Sequence, residues 1–134
     1  MQRGFTLIEI LVVLAIVGLI LASTMVVYSG VLTKNRDVRR LSDVREIQKS
    51  LALYFIDTRI YPISATPVAL TGSDPVSVAI QNSGAISRIP SDPSPSYAYT
   101  YQSSTNGGNY TITFCLEGSS IPNFSEGCNN SVSP

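Results

Sequence analysis

The sequence has no histidine and no tryptophan, and its only two cysteines are Cys115 and Cys128. Histidine is the commonest general base at neutral pH, so its absence weakens the case for an enzyme. The acids of the C-terminal part lack a spacing that indicates a catalytic pair: Asp74, Asp92, Glu117 and Glu126. There is also no glycine-rich phosphate loop and no CxxC-type metal motif. We therefore predict that the chain is not an enzyme and binds no cofactor or metal.

Charged residues are scarce, at 13% of the chain, and the formal net charge is zero. Seven of the nine bases lie between Lys34 and Arg59. The region from Ile60 to Pro134 holds one base, Arg88, against four acids, which leaves it at −3. Proteins that bind nucleic acid present a basic surface, so we predict no nucleic-acid partner.

Residues 5–28 form an apolar segment in which Glu9 is the only charged side chain. As a helix, twenty-four residues extend about 36 Å at ~1.5 Å per residue. That length crosses a hydrocarbon core of ~30 Å, so we predict a transmembrane helix. A secretory signal sequence cut near Ala22-Ser23-Thr24 is the alternative, because small residues follow the apolar run there.

Residues 29–57 have the periodicity of an amphipathic helix. Their apolar side chains recur at spacings of three, four and seven: Val31, Val38, Leu41, Val44, Ile47, Leu51 and Phe55. We predict that this helix continues the apolar one and that Tyr61-Pro62 ends it, with two helices joined near Ser29-Gly30 as the alternative. The basic cluster at residues 36–40 is interpreted as a solvated helix face attracted to lipid, or else as a lipid anchor or filament contact.

Residues 58–134 are predicted to form a loop region, an antiparallel sheet and a C-terminal loop. Polar and apolar side chains alternate in Tyr97–Tyr101 and Tyr110–Leu116, and Asn106-Gly107-Gly108 lies between them, which indicates a hairpin. Residues 63–96 contain five prolines and are predicted to be mostly loop, with a helical turn near Val76–Ile80. The fold class is therefore α+β, with one long N-terminal helix packed on a small sheet.

The sheet and the cysteines lead to two further predictions. Four side chains of the second strand should face the helix: Tyr110, Ile112, Phe114 and Leu116. The tyrosines at positions 97, 99 and 101 could form either a binding platform or a sheet face that packs on the helix. We prefer the packed sheet face. Cys115 and Cys128 lie in the same small polar region, which indicates a disulfide formed outside the cytoplasm.

The N-terminal residues resemble a known motif. Gly4-Phe5-Thr6-Leu7-Ile8-Glu9, followed by an unbroken apolar run, is similar to the start of type IV prepilins and type II secretion pseudopilins. The resemblance implies that residues 1–4 are a leader, removed by a prepilin peptidase between Gly4 and Phe5, and that the new amine of Phe5 is methylated. It implies a type IV pilin-like fold and a homo-oligomeric helical filament with residues 5–28 in its core. Many members have a proline where this chain has Val26, so the chain departs from the family pattern at the residue that lets the helix loosen on assembly.

The same resemblance makes Glu9 the residue that guides assembly. An ionised side chain at the centre of a bilayer costs roughly 2.5–3.5 kcal/mol or more, so such residues usually have a partner. The N-terminal amine of a neighbouring Phe5 is the expected partner. The alternative is that Glu9 is simply an interfacial residue, since it lies about 6 Å along the helix from Phe5 and reaches the headgroups.

The resemblance also implies partners and a location. Before assembly the chain is expected to be a single-pass membrane protein in contact with lipid, with its C-terminal domain outside the cytoplasm. After assembly it would form a cell-surface or envelope filament, built by pilus or secretion machinery in the inner membrane. The bases that follow residue 33 favour the opposite orientation under the positive-inside rule, but the cysteines and the motif outweigh that signal.

Two kinds of filament fit these residues. The helix end at residues 51–62 and the segment Pro90-Ser91-Asp92-Pro93 resemble G-type major pseudopilins. Such pseudopilins carry an acidic calcium loop near the C-terminus, whereas Glu117-Gly118 and Glu126-Gly127 supply too few oxygen ligands. The loop between the two cysteines resembles that of many pilins. The sequence therefore favours a pilin of a surface filament, with a major pseudopilin that drives protein export as the alternative.

Overall fold

The computed structural model describes residues 5–134, except for the side chains of residues 24–27 and 29. Gly4, the residue before the predicted cut, lies outside the described residues. The chain divides into two compact units, one ending at Thr33 and the other comprising Lys34–Pro134, here called the head.

One α-helix, α1, runs from Leu7 to Thr58 over 52 residues. It continues through Ser29 and Gly30, so the alternative of two separate helices is wrong. Its side chains are exposed along residues 7–23, as an apolar helix requires if it is to contact lipid or other helices. Within the described residues, however, no helix has the combined length and hydropathy needed to cross a membrane. The membrane span stays a prediction.

The C-terminus of α1 has a defined cap. Arg59 has a positive φ of 63°, and its N–H donates to the carbonyl of Phe55 over 2.9 Å. This is the left-handed cap that closes many helices, although glycine is the usual residue there. The helix therefore ends at Thr58, one residue beyond the predicted bound. Its end comes from the cap at Arg59 and lies before Tyr61-Pro62, which was expected to end it.

The head contains a four-stranded antiparallel sheet in the order β1-β2-β3-β4. The strands are β1 (Val68–Ala69), β2 (Thr100–Ser103), β3 (Tyr110–Leu116) and β4 (Gly127–Val132). The predicted hairpin corresponds to β2 and β3, so that prediction is confirmed. β2 begins three residues later than expected, because the N–H of Tyr97 donates to the carbonyl of Ser94 in a turn. The edge strands β1 and β4 were not predicted.

The core of the head lies between α1 and the sheet. Val44, Ile47 and Leu51 of α1 are fully buried. They belong to one apolar cluster with the predicted inward side chains of β3 and with two tyrosines: Tyr110, Ile112, Phe114, Leu116, Tyr99 and Tyr101. The predicted facing of β3 is thus confirmed. Tyr97 and Tyr99 both precede β2, although Tyr99 is buried, and only Tyr101 lies in the strand. The prediction that three tyrosines share one sheet face is therefore only partly correct.

A second helix, α2, spans Pro75–Asn82 in the loop region. Asp74 caps it, since its carboxylate accepts from the N–H of Ser77 at 2.9 Å, and Pro75 suits the first turn, where no N–H bond is needed. Val76 and Ile80 point into the core. The predicted helical turn is confirmed and is longer than expected.

Candidate functional site

The first turn of α1 holds a capping box formed by Thr6 and Glu9. The N–H and the hydroxyl of Thr6 each donate to Oε2 of Glu9 at 3.1 Å, and the N–H of Glu9 donates to Oγ1 of Thr6 at 3.3 Å. These bonds satisfy amides that a helix start leaves unpaired. The pattern Thr-x-x-Glu was visible in the sequence and could have identified Thr6 as the cap. Of these two residues, however, only Glu9 was predicted to be functional.

Glu9 retains one unused oxygen in this arrangement. Both hydrogen bonds of its carboxylate come from Thr6 and go to Oε2, and within the described residues Glu9 forms no ion pair. The carboxylate also lies at the N-terminal end of the helix, where the helix dipole stabilises negative charge. The site can therefore accept one further donor or cation at Oε1 without giving up the cap.

Phe5 lies just before the helix and is 82% exposed. It is not helical, because the cap at Thr6 starts α1 at Leu7. Gly4 is outside the described residues, so the geometry of the predicted Gly4–Phe5 junction is not seen. Cleavage and methylation at this junction stay predictions.

The head contains a cluster of charged side chains centred on Arg40, here called the Arg40 cluster. Arg40 is fully buried. Its guanidinium donates to Asp37 at 2.8 Å, to Asp92 at 2.9 Å and to Glu117 at 2.6 Å. The ring of Tyr97 lies 5.2 Å from the guanidinium carbon, within the range of a cation–π contact. Three carboxylates and an aromatic ring thus replace the water that Arg40 loses on burial.

Asp37 and Glu117 link this cluster to the C-terminal loop. The carboxylate of Asp37 accepts from the N–H groups of Glu117 and Gly118, each at 2.9 Å. Arg36 also forms an ion pair with Glu117. The cluster therefore holds the chain beyond β3 against α1.

This arrangement corrects the interpretation of residues 36–40 as a solvated face. Asp37 and Arg40 are both fully buried, and Arg36 is engaged by Glu117. Only Val38 and Arg39 of this segment are exposed. The i, i+3 spacing of Asp37 and Arg40 is a local sequence signal for an ion pair. No such signal links Arg40 to Asp92 or Glu117, because they are distant in the chain.

The electrostatics of the cluster follow from these bonds. The hydrogen bond from Arg36, aided by Arg40, lowers the pKa of Glu117 to about 2. Burial alone lowers the pKa of Arg40, but its bonds to Asp92, Glu117 and Asp37 outweigh burial and raise that pKa above its ordinary value. Glu117 and Arg40 therefore both carry their full charge at neutral pH.

Cys115 and Cys128 form a disulfide, as predicted. Cys115 lies on β3 and Cys128 on β4, so the bond joins neighbouring strands and closes the predicted C-terminal loop between them. Inside the loop, Ile121 is buried and the ring of Phe124 lies 5.2 Å from that of Phe114. The loop thus has its own apolar contacts with the sheet.

We find no site for metal chemistry in the part of the chain that is described. No group of three or more histidine, cysteine, aspartate or glutamate side chains among residues 5–134 could hold a metal ion. The three carboxylates that converge in the head are occupied by Arg40.

Comparison with known proteins identifies the N-terminal motif and several relatives. Residues 1–25 match the family model described as "Prokaryotic N-terminal methylation motif". "Type II secretion system core protein G" of Klebsiella pneumoniae is 30% identical over 96 residues, which cover 69% of this chain and 69% of the relative. No solved structure matches the chain.

Two further relatives carry the same name. The protein of Escherichia coli (strain K12) is 30% identical over 96 residues, covering 69% of this chain and 66% of the relative. The protein of Vibrio cholerae serotype O1 is 27% identical over 114 residues, which cover 83% of this chain and 76% of the relative. The match thus spans about two thirds of the length of the Escherichia coli relative. Since the matches extend well beyond the N-terminal motif into the head, this chain belongs to the family of type IV pilins and type II secretion pseudopilins.

Proposed function

We propose that this chain is a structural subunit of an envelope filament, cut after Gly4 and assembled through its apolar N-terminal helix. The observation that carries the proposal is the position of Glu9. A carboxylate with one open oxygen lies at the start of an exposed apolar helix, where a cation from a neighbouring chain can reach it. A structural subunit needs such a contact, because apolar packing alone does not fix the depth of one helix against another.

Processing at the Gly4–Phe5 junction supplies that cation. Removal of the leader by a prepilin peptidase creates an amine at Phe5, which is then methylated and keeps its positive charge. The match of residues 1–25 to the methylation motif supports this step. Phe5 lies outside the helix and is exposed, as a peptidase requires of its substrate, since helical peptide bonds are inaccessible.

The membrane holds the subunit until assembly. The exposed apolar side chains of residues 5–23 need an apolar environment, which lipid provides first and neighbouring helices provide later. The head then lies outside the cytoplasm, as its disulfide indicates. Assembly machinery in the inner membrane transfers the chain from lipid into the filament.

The kind of filament has two candidates. The disulfide-closed C-terminal loop supports a pilin of a surface pilus. The names of the relatives support a major pseudopilin of a type II secretion system. Both share the subunit architecture and differ in what the filament does.

Deletion of the gene in its own host separates these candidates. Loss of sheared surface filaments, with unchanged protein export, supports the pilus. Loss of exported proteins from the culture medium supports the pseudopilus. Restoration by the wild-type gene is the control. If neither filaments nor export change, the chain is not the main subunit of either structure.

A further inference from the structure

Four large aliphatic side chains remain exposed where α1 ends and the chain turns back towards the sheet. The exposed fractions are 44% for Leu53, 62% for Ile56, 43% for Ile60 and 57% for Ile63. Leu53 and Ile56 line one groove of about 220 Å³, and Ile60 and Ile63 lie side by side over Gly107. These four residues are called the aliphatic patch below.

The backbone that carries the aliphatic patch is held in place. The hydroxyl of Thr58 donates to the carbonyl of Ile60 at 2.7 Å, and the N–H of Tyr61 donates to the carbonyl of Gly107 at 2.8 Å. Beneath it, the ring of Tyr61 stacks on Phe55 at 4.7 Å. Exposed aliphatic side chains on a well-bonded base mark an interaction surface, and this one is ordered before a partner binds.

Unpaired charges indicate what the partner is. Asp57 and Arg59 flank the aliphatic patch, and neither forms an ion pair within the described residues. The same holds for Arg45, Glu46 and Lys49 on the exposed face of α1. Asp57 follows Lys49 by eight residues, or about 12 Å along the helix, so the two cannot meet within one chain. They do meet when two parallel copies are displaced by roughly that distance.

We propose that the aliphatic patch binds a second copy of this chain, on the exposed face of its α1 around Arg45, Lys49 and Ala52. Ala52 and the methylene stems of Arg45 and Lys49 supply apolar surface, and the pair of Asp57 with Lys49 sets the register. The inference rests on the proposed filament function, because a helical filament needs two different surfaces on each subunit that fit each other.

The size of the aliphatic patch agrees with a contact that is repeated along a filament. Stable interfaces between two proteins bury about 1,200–2,000 Å², which four partly exposed side chains do not reach. The contact therefore adds to the packing of the apolar helices and does not hold free subunits together.

The first test truncates the patch in cells that make the full chain. We expect Ile56→Ser combined with Ile60→Ser to give roughly tenfold fewer filaments or a greater loss, as when anchoring side chains are removed from an interface. The chain should still reach the membrane and form its disulfide. Val78→Ser, at a side chain of α2 that is 39% exposed, is the matched control. Absence of filaments with the wild type counts against the proposed function, whereas normal filaments with the double variant overturn the patch.

The second test exchanges charges between the two surfaces. Asp57→Lys and Lys49→Asp should each reduce filaments, and the two together should restore them, because the pair forms again with reversed sign. Glu126→Lys, at an exposed acid of the C-terminal loop, should have no effect. If the combined variant is as defective as the single ones, the proposed register is wrong.

The third test identifies the occupant directly. A photoreactive side chain at position 60 should give an adduct of twice the chain mass in cells with filaments. An adduct of any other mass, or none in cells whose filaments are normal, overturns the second copy as the partner.

Discussion

Arg40 and Asp92 are 52 residues apart in the chain, yet Nε of Arg40 donates to Oδ2 of Asp92 over 2.9 Å inside the head. The same guanidinium reaches Asp37 on α1 and Glu117 just after β3. One buried side chain thus connects the helix, the proline-rich loop and the start of the C-terminal loop. The order of the head depends on this charge as well as on apolar packing.

Replacement of Arg40 should therefore be severe. Arg40→Met leaves three carboxylates around an uncharged side chain, and breaking a buried ion pair in this way costs about 3–5 kcal/mol. Arg39→Met is the control, since its side chain is 65% exposed and lies 4.0 Å from Asp43; surface changes of that kind stay within about 0.5 kcal/mol. Urea unfolding of the full chain in detergent, followed by tyrosine fluorescence, measures both. Equal midpoints for the two variants would contradict the assigned role.

Glu117 should make the head sensitive to acid. Its pKa falls from an ordinary value of 4.5 to about 2 in the folded chain, so the unfolded chain binds a proton more readily. The resulting stability is complete above pH 4.5 and is lost as the pH falls towards 2. Glu117→Gln should lower the unfolding midpoint at neutral pH and flatten its decline in acid. If the unfolding midpoint of Glu117→Gln falls with pH as steeply as that of the wild type, groups other than Glu117 cause the acid sensitivity.

The elements with a strong local pattern were predictable from the sequence. The spacing of apolar residues in α1 predicted the helix. The alternation of polar and apolar residues in Tyr110–Leu116 predicted the hairpin and the buried face of β3. Strand β4 has the sequence Gly-Cys-Asn-Asn-Ser-Val, which has neither the alternation nor the composition of a strand. Its pairing with β3 comes from the tertiary structure, since the Cys115–Cys128 bond holds the two strands together.

The candidate sites, too, were predictable from the sequence only where their residues are close together in the chain. The capping box at Thr6 and Glu9 is local and could be found by spacing alone. The Arg40 cluster joins residues up to 81 positions apart in the chain, and its arginines have the sequence pattern of a solvated basic surface. Burial decides between these interpretations, and burial depends on the packing of distant segments.

Loss of the disulfide should weaken the C-terminal region. Closing a loop of about fourteen residues stabilises by roughly 3 kcal/mol in the chain-entropy model. Cys115→Ser combined with Cys128→Ser should lower the unfolding midpoint accordingly, and a reductant should do the same to the wild type but not to the variant. Free thiols on both cysteines of the mature protein from the host would contradict the bond.

The hydroxyl of Thr6 should stabilise the first turn of α1 as its N-terminal cap. Thr6→Val keeps the size of the side chain but removes the hydroxyl of the cap, which costs about 1 kcal/mol of helix stability. Faster hydrogen exchange at the amides of Leu7–Glu9 in detergent is the expected result. Thr6→Ser retains the hydroxyl and should exchange as the wild type does. If Thr6→Val does not change exchange, Thr6 does not cap the helix.

Glu9 gives the most direct test of the assembly hypothesis, because its two roles can be separated. Glu9→Gln keeps the side-chain oxygen that a capping box requires but removes the charge that would pair with the amine of a neighbouring Phe5. Glu9→Asp keeps the charge on a shorter arm, and Glu9→Ala removes both. All three chains should be made, inserted and cut normally, which mass spectrometry of the membrane fraction checks.

Filament yield then distinguishes the roles of Glu9. If pairing with the amine drives assembly, Glu9→Gln and Glu9→Ala should both abolish or shorten filaments, and Glu9→Asp should be intermediate, because an uncharged side chain cannot set the depth of the incoming helix. If the cap is what matters, Glu9→Gln should assemble like the wild type while Glu9→Ala fails. Normal filaments with Glu9→Ala would reduce Glu9 to an interfacial residue, and the role assigned to its open oxygen would be wrong.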